Sequence, residues 1–404
     1  MNKVFLVSEQ FSARLQYVID LWNTQIFSPS LVYSSFIPQN QKFINYNGNE
    51  NLYSIPNSGF LFTKDYPFDF QKVNTGIPFP DFDFFSYAFA MATESFLYSD
   101  FPKDIYGRYD ENFHPVLKNH LHNYPFFPFW ATKICRYLNV PIQFYPPEPL
   151  WITLDIDNPF HFQHRGIVKQ MKSLLKSFLQ LDLHEFFYKI KLLFNIEKDP
   201  FTTINWLPQI KKHPFLVFFL LNDEKHNSNT SPHSKYYHEE IRKIPSENLG
   251  IHFSLCSVYS ADKTMKNEIN ILQKIVKNPI YKSRQHYLKY HLPTTFQLLI
   301  QNGIWQDYTT CFYSCKGYKH GLVRPFLWYD IEKEKVTNLW RFPIFYMDRH
   351  SLKEKMNFQE TKKYIHEQVQ IIQSYGGIPM ILLHNETFSE RREWKEFPFR
   401  KFFS

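Results

Sequence analysis

Two carboxylates end the apolar segment LWITLDID, which covers residues 150–157. Asp155 and Asp157 stand two positions apart at its end. Like charges at this separation repel, and each raises the pKa of the other carboxyl unless a positive group lies between them. One interpretation is an ordinary strand-to-loop turn, where Asp and Asn are common. The other is a bound metal ion or a pair of groups that transfer a proton.

Polar side chains also lie at or near the ends of later apolar segments. His252 follows one apolar run, Arg284 and His286 open the next, Asp307 lies in a fifth segment and His384 closes the last. A barrel or an open doubly wound sheet gathers the carboxyl ends of its parallel strands around one pocket. We therefore expect these side chains to share a site with the two aspartates.

The chemistry open to such a set is limited. Asp157 and His252 offer a carboxylate oxygen and an imidazole, which suit Zn²⁺ or a similar divalent ion. An ion with an open position lowers the pKa of bound water and polarises a carbonyl group. Asp155 is placed to take the proton from that water, and His384 to protonate the leaving group. These residues predict a metal-assisted hydrolase of an amide or an ester.

Two further residues support this set. Asp307 is expected either to pair with Arg284 or to orient an imidazole. No Gly-x-Ser-x-Gly motif supports a serine nucleophile instead. The phosphate-binding patterns G-x-G-x-x-G and G-x-x-x-x-G-K are also missing from the sequence, which disfavours a nucleotide site.

Short apolar runs alternate with helical patterns after residue 150, as expected of repeated β-α units. Helices are predicted over 168–195, 264–277 and 362–375. Strands are predicted over 150–157, 215–223, 249–257, 283–289, 304–310, 322–330, 342–348 and 378–386. Seven or eight strands in this length fit a (β/α) barrel, and they also fit an open doubly wound sheet. The fold class is α/β in either case.

The segment YPPEP at 145–149 predicts a rigid, extended connector between two domains. Residues 1–147 are expected to form a mixed α+β domain, with helices over 12–23 and 84–96. Residues 148–404 form the α/β domain. The polar stretch 222–240 is predicted to be a loop that leads into a short helix.

Composition narrows the class of protein. The net charge is +8, but basic and acidic residues interleave, so no nucleic-acid partner is expected. The basic segment 391–401 is interpreted as a solvated end. Four cysteines in 404 residues are too few for a disulfide scaffold. Without a signal-peptide core or an apolar run long enough to span a membrane, a cytoplasmic protein is expected.

Five short motifs resemble the polysaccharide deacetylase family, the NodB-homology enzymes of carbohydrate esterase family 4. They are TLDID, GIHFS, SRQH, DYTT and LLHNE, in this order. The likeness is greatest to a bacterial subgroup that has its own N-terminal domain of unknown function. It implies a distorted (β/α) barrel that removes N-acetyl groups from sugars with a divalent metal ion, commonly zinc. By position, the resemblance makes Asp155 the base, Asp157 and His252 metal ligands, and His384 the acid.

The remaining two motifs match at Arg284 and Asp307, but the sequence departs from the family pattern elsewhere. The two acids are separated by one residue, and Cys256 stands where a second metal histidine is expected. Candidates for a third ligand are Cys256, Ser254, His161, His164 and the 222–240 segment. Two alternatives to a sugar deacetylase therefore stay open. One is a decayed scaffold that binds or assembles carbohydrate, and the other is an amidohydrolase of a small non-sugar amide.

Overall fold

A computed structural model describes most of the chain. It covers residues 2–47, 53–66, 68–70, 72–221, 230–259 and 262–389, and residues 391, 394, 395, 397 and 399–403 near the C-terminus. Two β-sheets are surrounded by helices, and this confirms the α/β class. Residues 222–229 of the predicted 222–240 loop lie outside the described residues, while the short helix into which the loop was expected to lead is present at Lys235–Arg242.

The elements follow in two groups. The strands are β1 (Lys3–Val7), β2 (Ser30–Ser34), β3 (Phe43–Asn45), β4 (Trp151–Ile156), β5 (Phe215–Leu220), β6 (Leu249–Phe253), β7 (Lys282–Gln285), β8 (Gln306–Asp307), β9 (Phe326–Asp330), β10 (Lys335–Arg341), β11 (Tyr346–Met347) and β12 (Met380–His384). The helices are α1 (Ala13–Gln25), α2 (Phe84–Thr93), α3 (Pro115–Lys118), α4 (Phe126–Tyr137), α5 (Ile167–Leu179), α6 (Leu183–Leu193), α7 (Thr203–Ile210), α8 (Lys235–Arg242), α9 (Leu255–Tyr259), α10 (Asp262–Val276), α11 (Thr294–Gln301), α12 (Asp348–Lys353), α13 (Phe358–Ser374) and α14 (Phe399–Phe402).

The large sheet has nine strands in the order β11-β12-β4-β5-β6-β7-β8-β10-β9. All of its neighbouring strands pair in parallel except β10 and β9, which are antiparallel. β4, β5 and β6 are apolar and buried along nearly their whole length, because helices and loops cover both faces. A closed barrel is not confirmed, since no pairing joins the end strands β11 and β9 among the described residues.

The large sheet is nevertheless strongly curved. Arg284 on β7 donates to Asp155 on β4 at 2.6 Å, although two strands lie between β4 and β7. In a flat sheet those strands lie about 14 Å apart, farther than the two side chains can bridge. The segment between β10 and β11 also contacts strands that are far apart in the strand order, β8 and β12. Ile344 N donates to Thr310 O at 2.9 Å, and Phe345 N donates to Met380 O at 3.3 Å.

The N-terminal part has its own parallel sheet, ordered β2-β1-β3. Its helix α1 begins where the Ser12 side chain accepts a hydrogen bond from Leu15 N. The hydrophobic core around this sheet also takes in side chains from the second half of the chain, among them Phe312, Phe326 and Tyr329. The boundary at 147 stays a prediction, and the two parts share a core.

Three local predictions need correction. The helix expected over 168–195 is two helices, because Leu181 takes a left-handed conformation and Asp182 caps α6. Strand β10 was not predicted, since its sequence KVTNLWR is largely polar. The C-terminal segment is not simply solvated: Trp394, Phe397 and Phe399 are buried in the main core.

The helix predicted over 84–96 ends at Thr93, because Glu94 takes a left-handed conformation there. In the described part of the chain no helix has the length and the apolar character that crossing a membrane requires.

Candidate active site

A cavity of about 500 Å³ opens at the carboxyl ends of β4, β6, β7 and β12. Asp155, Asp157, His252, His286 and His384 all line it. The strand-end rule therefore brings together five side chains that are far apart in the sequence. Three of the five side chains form a group that can bind a metal ion. The other two, Asp155 and His384, each belong to an ion pair that holds the side chain in place.

The first group consists of Asp157, His252 and His286. One possible ligand atom from each lies within 4.8 Å of the other two. His252 Nε2 lies 3.3 Å from Asp157 Oδ1, and His286 Nε2 lies 3.7 Å from the same oxygen. Two imidazoles and one carboxylate form a three-residue set of the kind that holds a catalytic zinc ion and leaves a position open. The residues therefore fit a divalent ion.

Two features of this group support the fit. His252 Nδ1 donates to the carbonyl oxygen of Arg284 at 3.1 Å, which directs Nε2 of the same ring toward Asp157. Burial by itself raises the pKa of the Asp157 carboxyl, but the neighbouring His286 and His252 hold it well below its ordinary value. Asp157 is thus a carboxylate at neutral pH, the form that binds a metal ion.

Four of the other candidate ligands lie outside this group, while residues 222–229 of the fifth candidate, the 222–240 segment, lie outside the described residues. Cys256 is on helix α9, not on a strand, and Ser254 Oγ donates to Glu268 Oε1 at 2.5 Å. His161 Nε2 lies 2.9 Å from Glu185, and the ring of His164 stacks on Tyr236 with the centroids 3.6 Å apart. His286, directly after β7, takes the place that these residues were considered for.

Asp155 is positioned by Arg284. Arg284 is fully buried and donates to Asp155 Oδ1 at 2.6 Å, to Thr153 Oγ1 at 2.7 Å and to the Tyr308 carbonyl at 2.9 Å. The second carboxylate oxygen, Asp155 Oδ2, lies 3.7 Å from His252 Nε2. One oxygen is thus held by the guanidinium while the other faces the metal-binding group.

His384 is positioned by Asp348, a residue that begins helix α12. His384 Nδ1 donates to Asp348 Oδ1 at 2.9 Å, and the backbone N–H of His384 donates to Asp348 Oδ2 at 2.7 Å. Thr387 also donates to this carboxylate. Burial alone lowers the pKa of His384, but the Asp348 carboxylate outweighs it and raises the pKa to about 9. His384 is therefore protonated at neutral pH, as a general acid must be.

Asp307 does not pair with Arg284, nor does it orient His384. Its Oδ1 accepts a hydrogen bond from Thr309 at 2.5 Å, and its Oδ2 lies 3.7 Å from Arg341 Nε. Burial raises the pKa of Asp307, and the Arg341 guanidinium opposes the shift. Asp307 lies beneath the site in the strand layer and is not among the residues that line the cavity.

One wall of the cavity comes from the N-terminal part, where residues 103–111 form a small hairpin. Lys103 and Tyr109 pair across it, and Asp104 accepts from Arg108 Nε at 2.7 Å. The Arg108 guanidinium lies over the Tyr313 ring, 3.6 Å from its centroid. Arg108 and Tyr313 both line the cavity.

The hairpin is anchored to the loops that carry the site. Lys289 Nζ donates to the Tyr106 carbonyl at 2.6 Å, and Leu292 N donates to the Tyr109 hydroxyl at 3.1 Å. The exposed rings of Tyr106 and Tyr287 are parallel, with centroids 6.3 Å apart. Tyr287 directly follows His286, so the hairpin contacts the chain next to a candidate metal ligand.

His286 and Asp348 are the two residues whose roles the sequence analysis missed. His286 was noted beside Arg284 but was not assigned as a ligand. Asp348 ends the predicted strand 342–348 and follows the same strand-end pattern as the other site residues. That pattern could have identified both side chains, although not their partners.

Comparisons with known proteins add little. No family model matches the chain, and no curated protein matches it. Among solved structures, the chain is similar to one described as a "putative polysaccharide deacetylase" from Mycobacterium smegmatis. The identity is 13%, the TM-score is 0.36, and the match covers 64% of this chain and 87% of that one. A likeness at this TM-score does not define the activity of the chain.

Proposed function

We propose that the protein is a metal-dependent hydrolase that removes an N-acetyl group from a sugar of a cell-surface polysaccharide or its precursor. One observation carries the proposal. A carboxylate held by arginine and a protonated histidine held by aspartate flank a group of one aspartate and two histidines in the same cavity. Hydrolysis of an amide requires a base, an acid and a group that polarises the carbonyl.

Asp157, His252 and His286 are the residues that hold the metal ion. A divalent ion supplies Lewis acidity at the amide carbonyl when it is bound. Zinc is the expected ion, because two imidazoles and a carboxylate are ligands that zinc accepts.

Asp155 and His384 move the protons. Asp155 Oδ2 faces the ligand group and takes a proton from the attacking water, while Arg284 keeps the carboxylate in place. His384 gives its proton to the departing sugar nitrogen, which leaves as a neutral amine. His384 is left as a neutral imidazole and has to be protonated again, and the Asp348 carboxylate favours that protonated form. In this assignment Asp307 supports strand β8 through Arg341 and does not touch the substrate.

The cavity lining fits an acetylated sugar. Leu288, Met347 and Leu382 belong to one apolar cluster and line the cavity, where they can contact the acetyl methyl group. Tyr287 and Tyr313 offer ring faces on which a sugar can stack. The cytoplasmic location stays a prediction, and with it a polysaccharide precursor is the expected substrate.

The metal assignment is tested by the metal content of the purified full chain after zinc loading and desalting. We expect about one equivalent in the wild type and a large loss in His286→Ala. His164→Ala is the matched control, because His164 was the alternative ligand and stacks on Tyr236 outside the group. Retention by His286→Ala together with loss in His164→Ala would refute the assignment.

The activity is tested by acetate release from N-acetylated sugars and oligosaccharides, comparing the zinc-loaded wild type with Asp155→Asn. We expect release by the wild type and a loss of at least about 100-fold in the variant. Glycan binding without acetate release would favour the alternative, a decayed scaffold that binds or assembles carbohydrate. Release from simple acetamides but not from sugars would favour the small-amide hydrolase.

A further inference from the structure

Helices α5 and α6 form a hairpin whose outer surface is unusually apolar. Ile167 is 75% exposed, Leu179 is 70% exposed and Leu181 is 82% exposed. Twelve large apolar side chains are exposed between residues 167 and 196: Ile167, Val168, Met171, Leu175, Phe178, Leu179, Leu181, Leu183, Phe187, Leu193, Phe194 and Ile196. Single exposed apolar residues are normal, but twelve of them on one helical hairpin indicate an interaction surface.

Helix α5 has three faces of different character: an exposed apolar face, a row of lysines and a buried face. At about 100° per residue, Met171, Leu175 and Phe178 fall on one outward face. Lys169, Lys172 and Lys176 form a row beside that face. The third face, with Leu174 and Ser177, is buried against the rest of the protein. The sequence of α5 contains three lysines and no acidic residue.

Buried contacts fix the orientation of the hairpin. Lys189 on α6 donates to Ser177 Oγ on α5 at 2.7 Å, and its ammonium group lies 3.5 Å from Glu185. Glu185 in turn accepts from Arg391 and lies 2.9 Å from His161. The two helices are thus locked to each other and to the body of the protein. Their apolar side chains face outward as a result of specific contacts.

We infer that this hairpin docks on the surface of an anionic lipid bilayer. An apolar helical face bordered by lysines is the arrangement of helices that lie in the membrane interface, where apolar side chains enter the acyl boundary and lysines meet anionic headgroups. A second copy of the chain fits less well. A symmetric contact through this face brings two lysine rows of the same sign together, in a chain whose net charge is already +8.

The position of the hairpin relates the bilayer to the cavity. The hairpin lies in the connection between β4 and β5, directly after the strand that carries Asp155. The hairpin contacts the edge of the sheet where the carboxyl ends of the strands meet, because Glu185 of α6 accepts from Arg391 and lies 2.9 Å from His161, and these two residues follow β12 and β4 in the chain. Docking therefore brings this edge, and the cavity that opens on it, toward the membrane surface. The inference does not depend on the proposed deacetylation, because it rests on a separate surface.

Co-sedimentation of the full chain with vesicles tests the inference. The vesicles are phosphatidylcholine alone, or phosphatidylcholine with about one third phosphatidylglycerol. We expect binding to the anionic vesicles that weakens with added salt, because surface charges are screened. The triple variant Met171→Ser, Leu175→Ser, Phe178→Ser should bind at least ten-fold more weakly. Lys172→Glu with Lys176→Glu should lose binding to anionic vesicles.

The control variant is Phe36→Ser, which removes a side chain that is 70% exposed in the N-terminal part. It should bind vesicles like the wild type. All changed positions are exposed, so the thermal unfolding temperature of each variant should stay near that of the wild type.

Light scattering measures the oligomeric state and so tests the alternative of a second copy. If the wild type is a stable dimer that does not bind vesicles, and the triple variant is a monomer, the inference is overturned in favour of a second copy. Equal binding by the wild type and the triple variant also overturns it.

Discussion

The proposed base and the proposed acid are each held by a partner of opposite charge from another strand end. Asp155 has Arg284, and His384 has Asp348. The sequence indicates the residue types, because polar side chains at the ends of apolar runs are conspicuous. It does not indicate the pairs, since these depend on which strands are neighbours in space. β11, which precedes Asp348, lies beside β12 with His384, whereas β8 with Asp307 is five places from β12 in the sheet.

We expect the Asp348–His384 pair to set the alkaline limit of the proposed activity. With the pKa of His384 at about 9, the acid form is lost as the pH rises through that value, and kcat should fall there. In Asp348→Asn the neighbouring anion is gone, so the pKa of His384 falls and the alkaline limb moves to lower pH by about one unit or more. The measurement is a profile of kcat against pH for the metal-loaded enzymes.

Glu386→Gln is the control for this profile, because Glu386 pairs with Arg349 at the same rim of the cavity. Its alkaline limb should stay where that of the wild type lies. A uniform loss of rate in Asp348→Asn, with the limb unmoved, would mean that Asp348 only supports the fold around helix α12.

The predicted elements succeed where apolar periodicity decides the structure. All eight predicted strands of the second half are present in some form. For β4, β5 and β12 the reason is that their apolar runs have to be buried on both faces of the sheet. The failures lie where tertiary contacts decide. β10 is polar along much of its length and forms because it pairs with β8 and β9. The break between α5 and α6 lies inside one continuous apolar pattern, and Asp182 is its only local sign.

The 103–111 hairpin is an element whose contribution can be measured. Arg108 lines the cavity, lies against Tyr313 and is not a member of the ligand group, so we expect it to bind substrate without touching the reacting atoms. Arg108→Ala should raise KM for an oligosaccharide about ten-fold and leave kcat nearly unchanged, because only uniform binding is lost.

Lys118→Ala tests whether any cation of the N-terminal part would have this effect. Lys118 lies over the Phe113 ring at 4.9 Å and does not line the cavity. The KM of Lys118→Ala should therefore equal that of the wild type. If Arg108→Ala lowers kcat and leaves KM unchanged, the hairpin shapes the reacting geometry and the substrate-binding role is wrong.

On the scale of the whole molecule, one buried carboxylate links the two parts of the chain. Glu94, at the end of α2, accepts from Arg341 at 2.8 Å and from the Tyr290 hydroxyl at 2.5 Å. Lys319 and His320 lie 3.4 Å from its oxygens. All four partners belong to the second half of the chain. The sequence could not indicate this cluster, because Glu94 lies within a predicted helix and its partners are about 200 or more residues away.

This cluster makes the two parts depend on each other for stability. Burial raises the pKa of Glu94, but Lys319, Arg341 and His320 outweigh it and hold the pKa well below its ordinary value. Glu94→Gln leaves buried cations without their counter-charge and should lower the free energy of unfolding by about 3 kcal/mol. Glu197→Gln, which removes a surface pair with Lys191, should change it by less than about 1 kcal/mol.

The pH dependence of this loss gives the sharper test. A carboxylate whose pKa is depressed by folding contributes stability above its unfolded pKa of about 4.3, and this contribution is lost as the pH falls below that value. Urea unfolding of the wild type and Glu94→Gln should therefore differ most near neutral pH and converge in acid. A single transition in the wild type is expected, because the Glu94 cluster and the shared core couple residues 1–147 to the rest. Two separate transitions, with Glu94→Gln affecting neither, would show that the two parts fold independently.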